Sequence, residues 1–263
     1  MHLKPLAKLI AQWLTASLLF FILEIQISSS YGLFGEEAFS PALSYLITLF
    51  IVVIITNSLN LIDGIDGLAA AFSFVACGFF GTWFLFTGHY PYSILCFALA
   101  GAILAFLFQN WEPSNIFMGD TGSLVIGTVL SVIMIQFVNL NYQLPDSDHW
   151  KFNSSIGTAI CAMIVPLADT TRIVAIRLYN RTSLFTADKR HIHHALVRLG
   201  FTHRRAVYIL TIVHIGMIGL AVAFRDKGEW ILLTVIAVIT FVLCSWLGWL
   251  TARSLNEEQP QTE

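Results

Sequence analysis

Long apolar runs separated by short polar breaks constrain the fold of this chain more than any other feature. Eight runs approach or reach the roughly 17–25 residues with which a helix crosses the hydrocarbon core of a bilayer. They are 6–27, 41–56, 68–86, 91–109, 123–140, 156–178, 207–224 and 230–252. The chain is 57% hydrophobic and 11% charged, whereas an ordinary soluble domain is about 25% charged. The sequence therefore predicts an all-α, polytopic membrane helix bundle with about eight transmembrane helices.

No internal repeat or linker divides the chain. We predict one integral membrane domain over residues 1–255 and a disordered cytoplasmic tail over residues 256–263. Lys4 and Lys8, followed by an apolar run, also fit a signal peptide. The run is long enough to span a membrane, however, and no A-x-A cleavage site follows it. We therefore interpret the first run as a membrane span.

Positive charges are divided unevenly between the two sides that eight spans define. One side has Lys151, Arg225 and Lys227, and the other has all the remaining residues of the 14 lysines and arginines. Because cytoplasmic loops carry an excess of Lys and Arg, the second side is predicted to be cytoplasmic. Three polar loops also fall on that side, which predicts one cytoplasmic site. The net charge of -2 and the absence of a basic block argue against a nucleic-acid partner.

The first polar loop combines two amides, two carboxylates and two glycines. They are Asn57, Asn60, Asp63, Gly64, Asp66 and Gly67. If the next helix begins near Asp63, both carboxylates lie in its first turn. An ordinary N-cap is the alternative interpretation of Asp63. Ionised groups beside lipid are rare and usually mark function, so the loop predicts a polar site.

The second polar loop, residues 115–124, again precedes a span. Thr121 and Ser123 offer hydroxyls to the exposed amides of a helix start, and a helix N-terminus favours phosphate. Asp120 would repel an anion there unless a cation lies between them. Since Mg²⁺ bridges one or two carboxylates to a diphosphate, the loop predicts an Mg²⁺ site at Asp120. A plain helix cap is the alternative.

The third polar loop, residues 180–205, is basic and contains His191, His193 and His194. Histidine clusters bind zinc, but no HExxH motif or cysteine pair supplies further ligands. Together with Arg190, the histidines offer donors to a nucleotide diphosphate, and a histidine there can pass protons. An ordinary basic cytoplasmic loop is the alternative interpretation.

Asp169 is a charge inside the sixth apolar run, about 15 Å from its end at 1.5 Å per residue. A lone charge near mid-membrane costs roughly 2.5–3.5 kcal/mol. Arg172, one helical turn later, is the expected partner. A structural ion pair and a role in lining the site both stay open.

These motifs, in this order, resemble those of the polyprenyl-phosphate N-acetylhexosamine-1-phosphate transferases, or glycosyltransferase family 4. Residues 57–68 resemble the signature NxxNLxDGxDGL, residues 117–123 resemble FMGDTGS, and residues 166–196 resemble PxxDTxRV…FxxDxxHIHHxL. The resemblance covers essentially the whole chain. The HIHH form at residues 191–194 resembles the branch that uses UDP-N-acetylglucosamine.

The resemblance implies that undecaprenyl phosphate attacks the β-phosphorus of a UDP-N-acetylhexosamine and that UMP leaves. The site would lie on the cytoplasmic face of the bacterial inner membrane, in a protein that is a monomer or a homodimer. Mg²⁺, with Mn²⁺ as the alternative ion, would be bound by Asp120 and Asn60. The residues implied to be catalytic are Asp63, Asp66, Asp120 and His193. Those implied to bind substrate are Asn57, Asn60, Phe117 (stacked on uracil), Arg190, His191 and His194.

One part of the family pattern is missing from this sequence. Family members carry an acidic DDxxD motif just before a segment that residues 8–12 resemble. We therefore expect the acidic pair and about three further spans to be encoded upstream of Met1, and we expect a chain that begins at Met1 to be weakly active or inactive. In-frame Asp-Asp codons upstream would confirm this expectation, and stop codons there would refute it.

A transporter or channel and a different metal-dependent membrane enzyme are the alternatives to the transferase. A transporter or channel would use the Asp169–Arg172 pair, but it predicts paired broken helices in two related halves. A zinc hydrolase needs more zinc ligands than the histidines supply. A CDP-alcohol phosphotransferase needs a run of carboxylates after its DG sequence, and the span 68–86 contains no acidic residue. Neither class explains all three polar loops.

Overall fold

The computed structural model describes residues 5–35, 37–182 and 191–258 and contains ten helices in them. Apart from one bridge between Ser29 and Ala38, these ranges contain no β-structure. The predicted all-α class is therefore confirmed. The helices are α1 Pro5–Phe21, α2 Pro41–Ile62, α3 Leu68–Phe86, α4 Tyr90–Asn110, α5 Gly119–Gln143, α6 Ser155–Cys161, α7 Ile164–Tyr179, α8 Ile192–Arg198, α9 His203–Ala223 and α10 Glu229–Glu258.

Six helices, α2, α3, α4, α5, α9 and α10, are long and apolar enough to cross a membrane. The pair α6 and α7 passes the same test as one span, but it is bent by 84°. α1 is a shorter apolar helix of 17 residues. Each of the eight predicted spans thus matches a helix or a helix pair, and the chain is a multi-pass membrane protein.

Two predicted spans differ from the structure in their extent. The first was predicted to reach residue 27, but α1 ends at Phe21. Glu24 has a φ of 54°, in the left-handed region, so a right-handed helix does not continue through it. At the other end of the chain, α10 continues to Glu258, three residues into the predicted tail, and residues 259–263 lie outside the described part.

The sixth predicted span, residues 156–178, is broken at Ala162 and Met163, between α6 and α7. Pro166 lies in the first turn of α7. Its ring clashes with the carbonyl four residues earlier, and it has no N–H to donate, so a continuous helix through residue 162 is disfavoured. Pro166 was therefore the sequence signal for this break.

The helices α2 and α5 pack with their backbones in contact. A Cβ on Gly127 of α5 would lie 2.7 Å from Cα of Thr56 in α2, and Gly127 is buried. Thr56 lies about one turn before Asn60, and Gly127 lies about two turns after Asp120. We call the Gly127–Thr56 contact the α2–α5 seam, since it sets the spacing between the first and second polar loops.

Glu229 at the start of α10 binds the first turn of α6. Its carboxylate accepts hydrogen bonds from N–H of Ile156 at 2.7 Å and of Gly157 at 2.9 Å. The Ser155 hydroxyl donates a third bond at 3.3 Å. Glu229 itself is buried, since it is only 7% exposed. This contact ties α10 to the broken span.

Replacing Glu229 with alanine is expected to destabilise the protein by about 1–3 kcal/mol, because the N–H groups of Ile156 and Gly157 lose their acceptor. Thermal unfolding in detergent measures the change. Asp226→Ala is the control, because that carboxylate lies just before α10 and is 79% exposed. Equal unfolding temperatures for the two variants would contradict the role of Glu229.

Candidate active site

The first polar loop is a short connection between two helices. Asp63 is the C-cap of α2, and α3 begins at Leu68 with Gly67 as its N-cap. The expectation that Asp63 and Asp66 occupy the first turn of a helix was therefore wrong, and so was the alternative that Asp63 is an N-cap. Both carboxylates are half-buried and are available to a ligand from the turn.

Asn110 joins the first polar loop to the second. Its side-chain oxygen accepts from N–H of Gly67, and its amide donates to the carbonyl of Ile116, both at 2.8 Å. Gly67 has a φ of +81°, which suits glycine. Sequence reasoning missed Asn110, whose only signal was an amide at the end of an apolar span.

Asp120 lies in the first turn of α5, and the helix has no side-chain cap. The interpretation of Thr121 and Ser123 as caps was therefore wrong. The Ser123 hydroxyl instead donates to the carbonyl of Gly119 at 3.1 Å and accepts from the Asn60 amide at 2.8 Å. The same amide donates to Oδ1 of Asp120 at 3.1 Å. The structure thus brings together Asn60 and Asp120, the two residues predicted to hold Mg²⁺.

The ammonium group of Lys8 lies between these two side chains. Its Nζ is 2.6 Å from Oδ1 of Asp120 and 3.3 Å from Oδ1 of Asn60. The two oxygens therefore already form a site that attracts a cation, and oxygen ligands are those that Mg²⁺ prefers. We call Lys8, Asn60 and Asp120 the cation site. Sequence reasoning gave Lys8 no role beyond a signature position.

No group of three or more His, Cys, Asp or Glu side chains suited to a metal occurs in the part of the chain that the structure describes. A protein-only zinc site needs three or four such ligands. Mg²⁺ needs fewer protein ligands, because it keeps waters and takes oxygens from substrate phosphates. The cation site therefore fits Mg²⁺ better than zinc.

Asn57, predicted to bind substrate, pairs with Gln12. The two amides exchange hydrogen bonds of 3.1 and 3.2 Å, and Gln12 is 3% exposed. Together with the Lys8 contacts, this pair fixes α1 against the polar end of α2. Gln12 was not recognised as part of the site.

The pKa of Asp63 is raised to about 6, first by burial and then by the negative charges of Asp120 and Asp66. Its ordinary value is 3.8. The first two polar loops therefore concentrate negative charge, which is costly until a cation or a bound donor group compensates it.

Asp63 is expected to contribute a loss of stability of about 1–2 kcal/mol in the ligand-free protein as the pH rises from about 4 to 6, after allowance for solvent access. The sign follows because the folded carboxyl keeps its proton in a range where the unfolded one has lost it. The lowered pKa of His193 contributes a change of the opposite sign over this range. Thermal unfolding in EDTA across this range measures the slope, and stability should rise more steeply with pH in Asp63→Asn than in wild type. Asp146→Asn, a fully exposed control, should leave it unchanged. An identical slope in wild type and Asp63→Asn would contradict the prediction.

Asp169 anchors the third polar loop. One of its oxygens lies 2.7 Å from Nδ1 of His191, and the other accepts from N–H of Ile192 at 2.9 Å. Arg172 donates to that second oxygen at 3.2 Å. Asp169 is 1% exposed. The expected ion pair with Arg172 is therefore present, and the same buried carboxylate also holds His191 in place.

His193 is packed against the first polar loop. It is 1% exposed, and a Cβ on Gly64 would lie 2.7 Å from its Cε1 and closer still to its Nε2. Its ring stacks on His191 with centroids 5.6 Å apart, and the His194 ring is 4.2 Å away. We call these three residues the histidine wall. The structure thus brings the third loop to the first.

Neither ring nitrogen of His193 has a hydrogen-bond partner among the described residues. Burial, followed by the charge of His194, lowers its pKa to about 3, so the ring is neutral at pH 7. Buried polar atoms are normally hydrogen-bonded, and exceptions concentrate at functional sites. His193 is therefore suited to a ligand that brings its own donor or acceptor.

The remaining predicted residues differ in their surroundings. Phe117 is 78% exposed and lies three residues before Asp120. His194 is half-buried. Arg190 lies outside the described residues.

An apolar cavity of about 1060 Å³ has walls from α2, α5, α6, α7 and α10 and from the connection between α1 and α2. It extends along α10 from Leu233 to Gly248, which is about 22 Å at 1.5 Å per residue. Arg172 is the only charged side chain among its lining residues in the described part of the chain.

The transporter alternative requires a pair of broken helices in related halves. The described residues contain one broken span, α6 with α7. The polar residues also converge on one end of the bundle. The described residues therefore do not show the pairing that a transporter predicts.

The sequence of this chain is similar to those of known proteins. The profile of the family described as "Glycosyl transferase family 4" matches residues 1–138. A relative from Bacillus subtilis, named "Probable undecaprenyl-phosphate N-acetylglucosaminyl 1-phosphate transferase", is 32% identical over 197 residues, which are 75% of this chain and 52% of that protein.

Two further relatives are similar over a larger share of this chain. The "Undecaprenyl-phosphate alpha-N-acetylglucosaminyl 1-phosphate transferase" of Escherichia coli K12 is 31% identical over 89% of this chain and 64% of its own length. The "Decaprenyl-phosphate N-acetylglucosaminephosphotransferase" of Mycolicibacterium smegmatis is 30% identical over 86% and 59%. The matched part of this chain thus spans 52–64% of the length of these three relatives.

Proposed function

Because this chain belongs to glycosyl transferase family 4, we propose that it transfers N-acetylglucosamine 1-phosphate from a UDP-sugar to undecaprenyl phosphate and releases UMP. The names of its relatives from Bacillus subtilis and Escherichia coli support the sugar phosphate and the acceptor. We further propose that the reaction takes place at the cytoplasmic face of the bacterial inner membrane, as the first membrane step of an envelope polysaccharide.

The observation that carries this proposal is the cation site. Asn60 and Asp120 are 60 residues apart in the sequence. An oxygen of each nevertheless contacts the same positive group, Nζ of Lys8. Phosphoryl transfer needs charge neutralisation and alignment more than it needs covalent help from the protein. Asp120 and Asn60 would hold Mg²⁺, which supplies that neutralisation to the diphosphate when bound.

The other predicted residues would bind and orient the UDP-sugar. Asp63 and Asp66 present carboxylates from the turn between α2 and α3, where sugar hydroxyls can donate to them. His193, neutral and unpartnered among the described residues, would hydrogen-bond the diphosphate through one ring nitrogen. The exposed ring of Phe117 would stack on uracil.

The apolar cavity supports a lipid acceptor. Its walls are almost entirely apolar, and its length suits an extended hydrocarbon chain better than a nucleotide. A soluble acceptor would instead require polar groups to replace its hydration. Arg172 in the cavity wall pairs with Asp169, which also contacts His191, so a lipid head at that part of the cavity would lie near the proposed donor site.

The test is transfer of labelled sugar phosphate from UDP-N-acetylglucosamine to undecaprenyl phosphate by purified protein in lipid. We expect a labelled lipid and UMP, both dependent on Mg²⁺, and less product with UDP-N-acetylgalactosamine. The assay is run on this chain and on the reading frame continued upstream of Met1. Absence of labelled lipid in both preparations, with every nucleotide sugar offered, would refute the proposal.

A further inference from the structure

The C-terminal end of α4 lies between the polar loops and the start of α9. Asn110 bonds the first loop at Gly67 and the second at Ile116, as described above. The ring of Trp111 packs on the same glycine, where a Cβ would lie 3.3 Å from its Cε3. The other neighbour of this ring is Tyr208 of α9, with centroids 5.5 Å apart. The end of α4 is therefore packed against α9 as well as against the first loop.

Glu112, the next residue, is bonded reciprocally to Arg204 in the first turn of α9. The Glu112 carboxylate accepts from N–H of Arg204 at 2.8 Å, and Nη2 of Arg204 donates to the carbonyl of Glu112 at 2.6 Å. The first N–H groups of a helix have no partner within it, and a carboxylate there also interacts favourably with the helix dipole. Each bond joins one flexible side chain to a backbone group, so the pair holds two segments that are 92 residues apart. We call these two bonds the Glu112–Arg204 junction.

The junction connects the two parts of the protein to which the opposite ends of the donor are assigned. Glu112 lies five residues before Phe117, the ring proposed to stack on uracil. On the other side, α9 begins at His203. After burial and the charge of His194, the charge of His203 is among those that lower the pKa of His193, so the start of α9 lies close to the histidine wall. A change at the junction would therefore alter the distance between the uracil contact and the diphosphate contact.

We propose that Glu112 and Arg204 are positioning residues, which hold the second polar loop and the histidine wall at the separation that a nucleotide diphosphate requires. The identity of the donor rests on the proposed function. The cation site is held by contacts of its own, because Asp120 bonds Lys8 and Ser123 bonds Asn60. Loosening the junction should therefore weaken binding of the nucleotide and leave the chemical step nearly unchanged.

The test combines transfer kinetics and direct binding. Transfer rates are measured against UDP-N-acetylglucosamine at saturating undecaprenyl phosphate, and binding of UDP is measured by calorimetry without acceptor. Glu112→Ala should raise the KM of the sugar nucleotide and the Kd of UDP about tenfold, with kcat changed about twofold or less. Glu112→Gln keeps an oxygen for the N–H of Arg204 and should raise both constants by about threefold or less. Arg205→Ala, which removes the same charge from the adjacent exposed residue, should leave them near those of wild type.

Arg204→Ala removes the other bond of the junction and should raise the same two constants. Because either change opens one junction, the double variant with Glu112→Ala should be little worse than the more affected single variant. If Glu112→Ala does not fold, Arg204→Ala replaces it in every comparison.

These outcomes are distinguishable from failure of the proposed function. Unchanged KM and Kd in Glu112→Ala would overturn the inference even where transfer is detected, and so would a fall in kcat with both constants unchanged. Effects of the two single variants that multiply in the double variant would overturn it too, because the residues would then act separately. Absence of UDP binding by wild type would overturn both proposals. Binding of UDP that depends on Glu112, without sugar transfer, would uphold the inference and refute the proposed function.

Discussion

Gly64→Ala is expected to lower the transfer rate about 100-fold and to destabilise the protein by about 1–3 kcal/mol. The new Cβ would lie 2.7 Å from Cε1 of the His193 ring, which is 1% exposed. Either the turn that bears Asp63 or the histidine wall must shift. Displacements of about 1 Å at a reacting centre cost about 10²-fold in rate, and overpacking costs about 1–3 kcal/mol. Single-turnover transfer and thermal unfolding measure the two effects.

The control for this variant is Gly78→Ala, in the membrane helix α3. A Cβ at Gly78 has nothing within 4 Å, so both activity and stability should stay near those of wild type. The double variant Gly64→Ala/His193→Ala tests the cause, because removal of the imidazole relieves the overlap. It should unfold at a higher temperature than a sum of the two single effects allows. Strict additivity would show that Gly64 acts through something other than His193.

Asp120→Asn is expected to abolish Mn²⁺ binding and to lower Mg²⁺-dependent transfer by about 10³-fold or more. An amide keeps the size of the side chain but removes the charge that attracts the cation. Electron paramagnetic resonance of added Mn²⁺ reports binding without reference to turnover. The fold should persist, because Ser123 still bonds Asn60 across the α2–α5 seam.

Asp146→Asn is the matched control for the cation site. This carboxylate is 97% exposed and pairs with Lys151 on the opposite side of the bundle. It should leave Mn²⁺ binding and transfer unchanged. If Asp120→Asn retained both properties, the assignment of the cation site to Asp120 and Asn60 would be refuted.

Most of the fold was predictable, because a membrane helix can be recognised from one continuous stretch of the sequence. A run of apolar residues long enough to cross a bilayer is sufficient, whatever its neighbours are. The bend at Ala162 and Met163 was missed because the run continues through it, although Pro166 marks it. The early end of α1 at Phe21 was missed because four of the next six residues are apolar, although Glu24 and Gln26 lie between them.

The convergence of the polar loops on one site was predictable, but the contacts between their side chains were not. The convergence of the loops that carry Asn60 and Asp120 followed from counting spans, and the structure brings the two residues together. Lys8 lies 112 residues from its partner Asp120, and one sequence contains no information about such pairs. The role of Asp169 was equally hidden, because its partner His191 lies beyond the end of its own helix.

The α2–α5 seam has a consequence for how proteins of this architecture can diversify. Asn60 and Asp120 are carried by helices whose backbones touch at Gly127 and Thr56, so few substitutions there leave their separation unchanged. The histidine wall depends instead on a single carboxylate, Asp169, and on local packing. Substitutions around the histidine wall can therefore change the shape of the site, while the backbone contact between α2 and α5 keeps the separation of Asn60 and Asp120 fixed.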